Sequence, residues 1–337
     1  VHFNKTKVKH NRNINVKNIG LLQIILRIAL SFFHINYRGK KILDEYLKII
    51  EKSDYVFVSP AGADLGRYKV WSALLNLYLV NTCKKKIIFH LNTIGSSRDK
   101  IFDFMADKIL KKSIIYVRED VSFKYLAKKN IFSVKGVDSA FLLPNGILKQ
   151  GEKKVLTFIP TQLDNWNRDY HGTDIESKIY KNVVIPVYNF AKKYDFEVCL
   201  LPHLGTDEEL KFYKKIIKSF DENENIYILD DVEDVWDYQN QICNSTLVVS
   251  MRYHGVVIAA KNFVPFVSIA YENKMNEVSG YVGMNSQNVN VLDVEADELY
   301  EMIYQTYINH DTIVQKLISN VECVRKSAER PIEENVK

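Results

Sequence analysis

The chain of 337 residues contains only four cysteines, widely separated and without a Cys-x-x-Cys pair. This usage argues against a disulfide framework and a cysteine zinc site, and it is typical of buried thiols in a reducing cytoplasm. The Gly-x-Gly-x-x-Gly, P-loop, His-Glu-x-x-His and Gly-x-Ser-x-Gly motifs are also missing. The sequence therefore gives no support to an ordinary dinucleotide site, a P-loop, a zinc protease or an α/β-hydrolase. We expect no metal and no cofactor.

Acidic residues are absent from positions 1–43, which carry nine Lys and Arg. The rest of the chain has 37 basic and 41 acidic residues, so the formal net charge of +5 originates in this segment. A basic leading segment suits an anionic membrane surface or a phosphate-bearing ligand, although a solvated basic face has the same composition. We expect no nucleic-acid partner.

No apolar run is long enough to cross a bilayer. The stretch from Ile19 to Phe33 is shorter than the roughly 20 residues required, and Gln23 and Arg27 interrupt it. It also lacks the small-residue cleavage site of a signal peptide. We predict a helix buried in the first domain, with a helix lying in a membrane interface as the alternative. The expected location is cytoplasmic, with peripheral contact at the inner face of the membrane.

Strand-like and helix-like segments alternate along the chain, which predicts an α/β fold with parallel sheets. Predicted strands lie at 54–59, 86–91, 113–117, 154–159, 196–201, 226–229, 246–250 and 266–269. The alternation restarts after the turn Pro144-Asn145-Gly146, which predicts two Rossmann-like domains facing a cleft, in a GT-B-like arrangement. We assign residues 1–148 to the first domain and 149–300 to the second. Residues 301–337 are a helical segment that packs back across the domains.

The run Ser250-Met251-Arg252-Tyr253-His254-Gly255 is the strongest functional signal. It follows an apolar strand and precedes a small-residue helix, the place where open α/β sheets bind ligands. Arg252 offers a fork for carboxylate or phosphate, and His254 can transfer a proton near neutral pH. On an extended tail, residues two apart point the same way. The alternative is a histidine bonded to the backbone and an arginine paired with a buried acid.

Other polar residues follow predicted strands. Gly62 and Asp64 come after one strand, and His90 and Asn92 end the next, so these four are candidate sugar contacts, with turn chemistry as the alternative. Arg118 ends a further strand, and we expect it to pair with an acid. Arg168, in a polar aromatic loop, and Lys274 are candidates for further positive charge beside Arg252. An exposed loop and a surface lysine are the alternatives for these two.

Taken together, these residues resemble the polysaccharide pyruvyl transferase family. Ser250 to Gly255 is similar to its signature, and the resemblance extends over roughly residues 50–285. Further pieces fall in the family's order at 54–64, 92–95, 117–122, 138–143, 201–203 and 271–274. Pro60 and Ala61 depart from the pattern, because they stand where glycines are usual.

The resemblance implies a GT-B-like fold and a transferase that moves the enolpyruvyl group of phosphoenolpyruvate onto two hydroxyls of a sugar. The product is a cyclic pyruvate ketal on a capsular, exopolysaccharide or other surface glycan, and phosphate leaves. Arg252, Tyr253, His254, Arg168 and Lys274 would bind phosphoenolpyruvate. His254 would act as general acid and base, or as a charged donor to the phosphate. No metal or redox cofactor is required.

On the other side of the cleft, the resemblance implies that Gly62, Asp64, His90 and Asn92 bind the sugar acceptor, which a lipid diphosphate could carry. The family's opening strand and Gly-Asp loop have no counterpart in residues 1–9, so acceptor recognition departs from the family here. Two alternatives remain at this stage. One is a GT-B glycosyltransferase using a nucleotide sugar, for which no carboxylate pair that would hold a ribose is evident. The other is a non-catalytic relative in polysaccharide assembly.

Overall fold

The structure, a computed structural model, describes residues 20–60, 63–148, 153–164, 167, 169–220 and 225–335. Gly62, Arg168 and the residues before Gly20 lie outside this set, so the predictions made for them stay predictions. The chain forms two compact units. Among the described residues, the N-terminal unit comprises those up to 139 together with 327–335, and the C-terminal unit comprises those from 140 to 326.

The N-terminal unit is built on a parallel sheet in the order β1-β2-β3-β4. Its strands are β1 (Tyr55–Val58), β2 (Lys86–Asn92), β3 (Ile114–Val117) and β4 (Val134–Lys135). Its helices are α1 (Leu21–Ser31), α2 (Lys41–Lys52), α3 (Trp71–Thr82), α4 (Lys100–Leu110) and α5 (Asp120–Lys128). Buried side chains of the central strands and the flanking helices, among them Phe89, Phe102 and Leu126, form the core.

The C-terminal unit contains a second parallel sheet, with six described strands in the order β10-β9-β8-β5-β6-β7. These strands are β5 (Val155–Ile159), β6 (Glu197–Leu200), β7 (Ile226–Ile228), β8 (Leu247–Ser250), β9 (Phe266–Ala270) and β10 (Asn288–Asn290). The helices between them are α6 (Ile175–Ile179), α7 (Ile185–Lys193), α8 (Asp207–Ile217), α9 (Val235–Cys243), α10 (Tyr253–Lys261) and α11 (Asn273–Tyr281). A π-helical turn, Tyr180–Val184, joins α6 to α7. The chain continues in α12 (Ala296–Ile308) and α13 (His310–Glu333).

Strand β5 determines where a ligand can bind in the second sheet. It lies between β6 and β8, so the chain leaves β5 toward one edge of the sheet and β8 toward the other. The carboxyl ends of β5 and β8 therefore form the topological switch point, the usual crevice for ligands in an open α/β sheet. The predicted site run begins with Ser250, the last residue of β8.

The α/β class with two Rossmann-like units is confirmed, and the predicted strands are present with ends shifted by one or two residues. The helix predicted around Ile19 to Phe33 is present as α1, but its predicted burial is wrong. Only Ile24 and Arg27 of α1 are buried, because the helix lies on the outside of its unit. No helix among the described residues has the length and apolarity needed to span a membrane.

Lys261, the last residue of α10, is fully buried in the C-terminal unit. Its Nζ donates to the carbonyl oxygen of Pro144 at 3.0 Å and to Oε1 of Gln239 at 2.6 Å. Burial, and then the charge of Arg325, lower the pKa of Lys261 to about 8. These bonds attach the start of the unit to the end of α10.

We expect the free energy of unfolding of the Lys261→Met variant to depend less on pH than that of the wild type. The pKa of Lys261 in the folded state lies below the ordinary lysine value of 10.5, so the unfolded state binds more protons between about pH 8 and pH 10.5. Stability of the wild type should therefore rise with pH there, by about 1 kcal/mol relative to the variant between pH 7.5 and pH 9. Denaturant unfolding at both pH values measures this difference. Lys326→Met, at an exposed position on α13, is the control, and an equal difference at both pH values would contradict the lowered pKa.

Candidate active site

The turn after β8 is held by Ser250. Its Oγ accepts a hydrogen bond from the backbone N–H of Arg252 at 3.0 Å and donates to the carbonyl oxygen of Arg252 at 2.9 Å. Gly255 makes this turn possible, because a Cβ there would lie 2.3 Å from Ser250 Oγ and 2.7 Å from Ile159 Cδ1. The serine, the arginine and the glycine of the motif thus form one packed unit.

Helix α10 begins at Tyr253, with Arg252 as its N-cap. The prediction that Arg252 and His254 share an extended tail is therefore wrong, since His254 already lies in the first helical turn. The Arg252 side chain is buried, and its Nη2 donates to Oε1 of Glu209 at 3.3 Å. This is the buried acid that the alternative interpretation of Arg252 requires.

Glu209, in the first turn of α8, holds two loops together. Its Oε2 accepts hydrogen bonds from the backbone N–H groups of His203, Leu204 and Gly205, at 3.0, 2.7 and 2.9 Å. Its other oxygen accepts from Arg252. The carboxylate therefore fixes the loop after β6 and the guanidinium after β8 on the two sides of β5.

His254 packs against a second histidine. The rings of His254 and His203 are stacked, with centroids 5.9 Å apart and planes at 18°. Nδ1 of His203 lies 3.2 Å from the hydroxyl of Tyr238. Burial lowers the pKa of His203 well below its usual value, with further lowering by Arg252 and His254, and burial raises the pKa of Tyr238. His203 and Tyr238 are therefore both neutral at physiological pH.

A cavity of about 230 Å³ lies at the switch point. Thr161, which follows β5, lines it together with Arg252 and the first turn of α8, which Thr206 caps. An arginine and a helix N-terminus both favour an anion. Glu208 and Glu209 also line the cavity, and their charge opposes that preference. Within the described part of the chain, the lining of this cavity does not include His254.

Tyr253 and Lys274 meet at the same end of the sheet. Nζ of Lys274 lies 5.2 Å from the centre of the Tyr253 ring, and that ring meets His254 edge to face at 5.1 Å. Lys274 also forms an ion pair with Glu272, at 2.9 Å. The structure thus brings Arg252, Tyr253, His254 and Lys274 together around the start of α10.

The predicted acceptor residues belong to the N-terminal unit. Asp64 and Asn92 line a mainly apolar cavity of about 220 Å³ at the carboxyl ends of β1 and β2. Nδ2 of Asn92 donates to the carbonyl oxygen of Ser59 at 2.8 Å. Among the described residues, its buried Oδ1 has no hydrogen-bond partner. Burial raises the pKa of Asp64.

His90 is placed differently from Asp64 and Asn92. Its ring forms a hydrogen bond to the backbone of Ala328, and among the described residues it does not line the cavity that they share. Burial lowers its pKa, while Ala328 and the charge of Asp138 oppose that change. The sequence predicted that Asp64, His90 and Asn92 contact a sugar together. The structure brings Asp64 and Asn92 together in one cavity and places His90 outside it.

Three of the motif pieces in the N-terminal unit form a buried network. Nη1 of Arg118 donates to Oδ2 of Asp138 at 2.7 Å, and Nε donates to Oγ1 of Thr93 at 3.1 Å. The expected pairing of Arg118 with an acid is thereby confirmed. Ser122 Oγ accepts from the backbone N–H of Ile94 at 2.9 Å. These pieces therefore support the ends of β2 and β3.

The Arg118→Ala variant is expected to lose about 3 kcal/mol of unfolding free energy, because Asp138 would remain buried without its counter-charge. Denaturant unfolding provides the measurement. Lys326→Ala, which breaks the exposed pair with Glu322, should cost at most about 0.5 kcal/mol. Similar losses of unfolding free energy in the two variants would show that the buried pair contributes no more to stability than the exposed pair.

A family model, polysaccharide pyruvyl transferase, matches residues 6–273. The chain belongs to the polysaccharide pyruvyl transferase family. This agrees with the resemblance carried by the run from Ser250 to Gly255. No curated protein gives a significant match to this pyruvyl transferase family member.

Solved structures of similar fold are sugar-nucleotide enzymes of the GT-B type. A UDP-GlcNAc 2-epimerase from Methanocaldococcus jannaschii has a TM-score of 0.52 at 15% identity, with 88% of this chain and 82% of that chain covered. A UDP-GlcNAc 2-epimerase from Neisseria meningitidis, bound to UDP-GlcNAc, has a TM-score of 0.54 at 13% identity, with 92% of this chain and 88% of that chain covered. Alr3699/HepE of Anabaena, in complex with UDP, has a TM-score of 0.56 at 11% identity, with 93% of this chain and 89% of that chain covered. These likenesses confirm the GT-B-like fold of the family member.

Sequence reasoning missed His203, Glu209 and Tyr238 as site residues. The signal for His203 was present, since it follows β6 at the same edge of the sheet as Arg252. Glu209 and Tyr238 lie on helices, and only their contacts across the sheet edge connect them to the site. No group of three or more His, Cys, Asp and Glu among the described residues is arranged to hold a metal ion.

Proposed function

We propose that this protein transfers the enolpyruvyl group of phosphoenolpyruvate onto two hydroxyls of a surface-polysaccharide sugar, forming a cyclic pyruvate ketal. One observation carries the proposal: Arg252, in a member of this family, lines a cavity at the switch point and immediately precedes the helical turn that holds His254. That arrangement offers an anion site beside a proton donor.

Donor binding would use the cations of the C-terminal unit. Phosphoenolpyruvate carries a carboxylate and a phosphate, so at least two positive contacts are needed. Arg252 would bind one of these two anionic groups at the N-terminus of α8, where Thr206 caps the helix. Lys274, beside Tyr253, and Arg168 are the proposed partners of the other group. Glu209 would orient Arg252 and offset part of its charge.

The chemistry would begin with His254 protonating C3 of phosphoenolpyruvate, which becomes the methyl group and leaves an oxocarbenium-like centre at C2. One sugar hydroxyl adds to C2 and loses its proton. The bond from C2 to the phosphate oxygen then breaks, and inorganic phosphate leaves. The second hydroxyl closes the ring at C2 and releases its proton, so that His254 can be reprotonated.

His203 would position His254 without competing for its proton. A neutral imidazole stacked on the catalytic ring adds no positive charge there, and its contact with the hydroxyl of Tyr238 fixes its orientation. We assign His203 a positioning role for this reason.

The acceptor sugar would enter the cavity of the N-terminal unit. Asn92 Oδ1, buried and without a hydrogen-bond partner among the described residues, would accept from a sugar hydroxyl. Asp64 would accept from another, and Gly62 completes the proposed acceptor set, whereas His90 lies outside this cavity. Apolar side chains such as Tyr46 and Leu77 would contact a sugar face. A lipid diphosphate is the proposed carrier of the sugar.

The test is an assay of the full chain with phosphoenolpyruvate and a panel of galactosyl, glucosyl and mannosyl acceptors. Phosphate release together with the mass gain of a pyruvyl ketal on one acceptor is the expected result. A variant with Arg252 replaced serves as the inactive control. Failure with every acceptor, combined with binding and turnover of a nucleotide sugar, would identify a glycosyltransferase. Failure with both donors would favour a non-catalytic member.

A further inference from the structure

Helix α1 buries its one charged side chain and leaves much of its apolar surface exposed. Leu21, Leu22 and Ile25 are 59%, 77% and 47% exposed, whereas Arg27 is 4% exposed. The buried Arg27 donates from Nε to Oγ1 of Thr82 at 3.2 Å and from Nη1 to Asn36. A helix on a protein in water normally buries its apolar stripe and exposes its charges. In α1, Arg27 is buried beside Ile24, and most of the other apolar side chains face outward.

The outward side is a continuous apolar surface. We define the α1 patch as six exposed side chains: Leu21, Leu22, Ile25, Leu26, Phe32 and Phe33. Four of these six side chains line a groove of about 720 Å³ that is almost wholly apolar and extends to Trp71 and Met105. Contiguous exposed apolar surface of this kind marks a contact site.

The chain segment that contains the α1 patch carries charge of one sign, since positions 1–43 have no Asp or Glu. Lys40 and Lys41 are exposed at the start of α2, and the backbone N–H of Lys40 donates to Oε1 of Gln23 within α1, at 2.8 Å. The nineteen residues that precede Gly20 add five Lys and Arg and no acid. A second copy of the chain would bring the same cations against themselves, whereas an anionic bilayer would attract them.

We propose that the α1 patch docks the protein onto a bilayer surface that contains anionic lipids. α1 has eleven residues, so it is about 16 Å long. The α1 patch would lie in the membrane plane, with its leucines and phenylalanines at the boundary of headgroups and acyl chains and with Lys40 and Lys41 at the phosphates. This surface is independent of the proposed pyruvyl transfer, because it uses none of the site residues.

Co-sedimentation of the full chain with vesicles tests the proposal. Vesicles of phosphatidylcholine alone are compared with vesicles containing about 30% phosphatidylglycerol, at low and high salt. We expect binding to the anionic vesicles that weakens with salt. The variant Leu22→Glu/Phe33→Glu should bind at least tenfold less, because both positions are exposed and can accept the change without unfolding. Phe132→Glu, at an 84% exposed position of the same unit, should bind as the wild type does.

Two results would overturn the proposal. One is equal or absent binding of wild type and double variant to anionic vesicles. The other is concentration-dependent self-association, measured by sedimentation velocity, that the double variant abolishes, which would assign the α1 patch to a second copy. Circular dichroism of each variant verifies the fold. The pyruvyl-transfer assay with a soluble sugar should be unchanged in the double variant, so failure of docking and failure of the proposed function are distinguishable.

Discussion

Replacing Arg252 by alanine is expected to lower kcat/KM for phosphoenolpyruvate by about 10²–10³-fold. The change removes a buried cation from the cavity at the switch point, where the donor's charge would be held. Losing one partner of a buried charged contact costs about 2–5 kcal/mol. Steady-state kinetics at varied phosphoenolpyruvate and saturating acceptor measure the loss, which should appear largely in KM.

The same substitution would also leave Glu209 buried without its counter-charge, so stability must be separated from binding. The double variant Arg252→Ala/Glu209→Gln is expected to regain thermal stability without regaining kcat/KM. Arg252→Lys keeps the charge but not the planar fork, and an intermediate loss is expected. Recovery of activity in the double variant would show that Arg252 serves the fold and does not bind the donor.

Replacing His254 by glutamine is expected to lower kcat by about 10²–10⁴-fold, the usual contribution of a positioned proton donor. KM for phosphoenolpyruvate should change little, because Arg252 remains in place. Reactions in heavy water add a second readout, since the methyl group of the ketal should acquire deuterium from the solvent. Rate and label are measured by mass spectrometry of the product.

His310→Gln is the matched control for this variant, because His310 lies in the same unit at the start of α13 and pairs with Asp311. Its activity should equal that of the wild type. His203→Gln should reduce kcat less than His254→Gln, in keeping with a positioning role. An effect of His254→Gln confined to KM would instead assign His254 to phosphate binding, and a wild-type rate would refute its place in the site.

Much of the fold could be predicted from local sequence patterns. The strands of both sheets are short apolar runs followed by turn residues, and these runs are readable without tertiary information. Helix α2 also has a readable signal, since Leu43, Leu47 and Ile50 have helical spacing and are all buried. The outward orientation of α1 was not predictable, because its apolar content alone fits burial and exposure equally well. The tertiary contacts of Arg27 and the burial of Ile24 show which side faces inward.

The sequence was enough to predict Arg252 and His254 as site residues, but not the side chains that pack around them. Arg252 and His254 follow a strand at the point where the chain turns into a helix, so their place at a ligand-binding edge follows from topology. Glu209 lies 43 positions from Arg252 in the chain, and nothing local indicates their contact. The same applies to His203 and Tyr238, whose pairing requires the loop after β6 to meet α9. His90 shows the converse, a correctly placed strand-end residue that faces a helix from the far end of the chain.

Because Ser250 and Gly255 are in close contact, the substitutions that one position tolerates depend on the residue at the other. A side chain at 255 would occupy the space of the Ser250 hydroxyl, and that hydroxyl holds the backbone of Arg252. A lineage could therefore accept alanine at 255 only after changing the serine, and changing the serine first would release the arginine. Neither order of substitution passes through an intact turn. Close packing of two small residues thus makes the motif resistant to drift, whatever the turn binds.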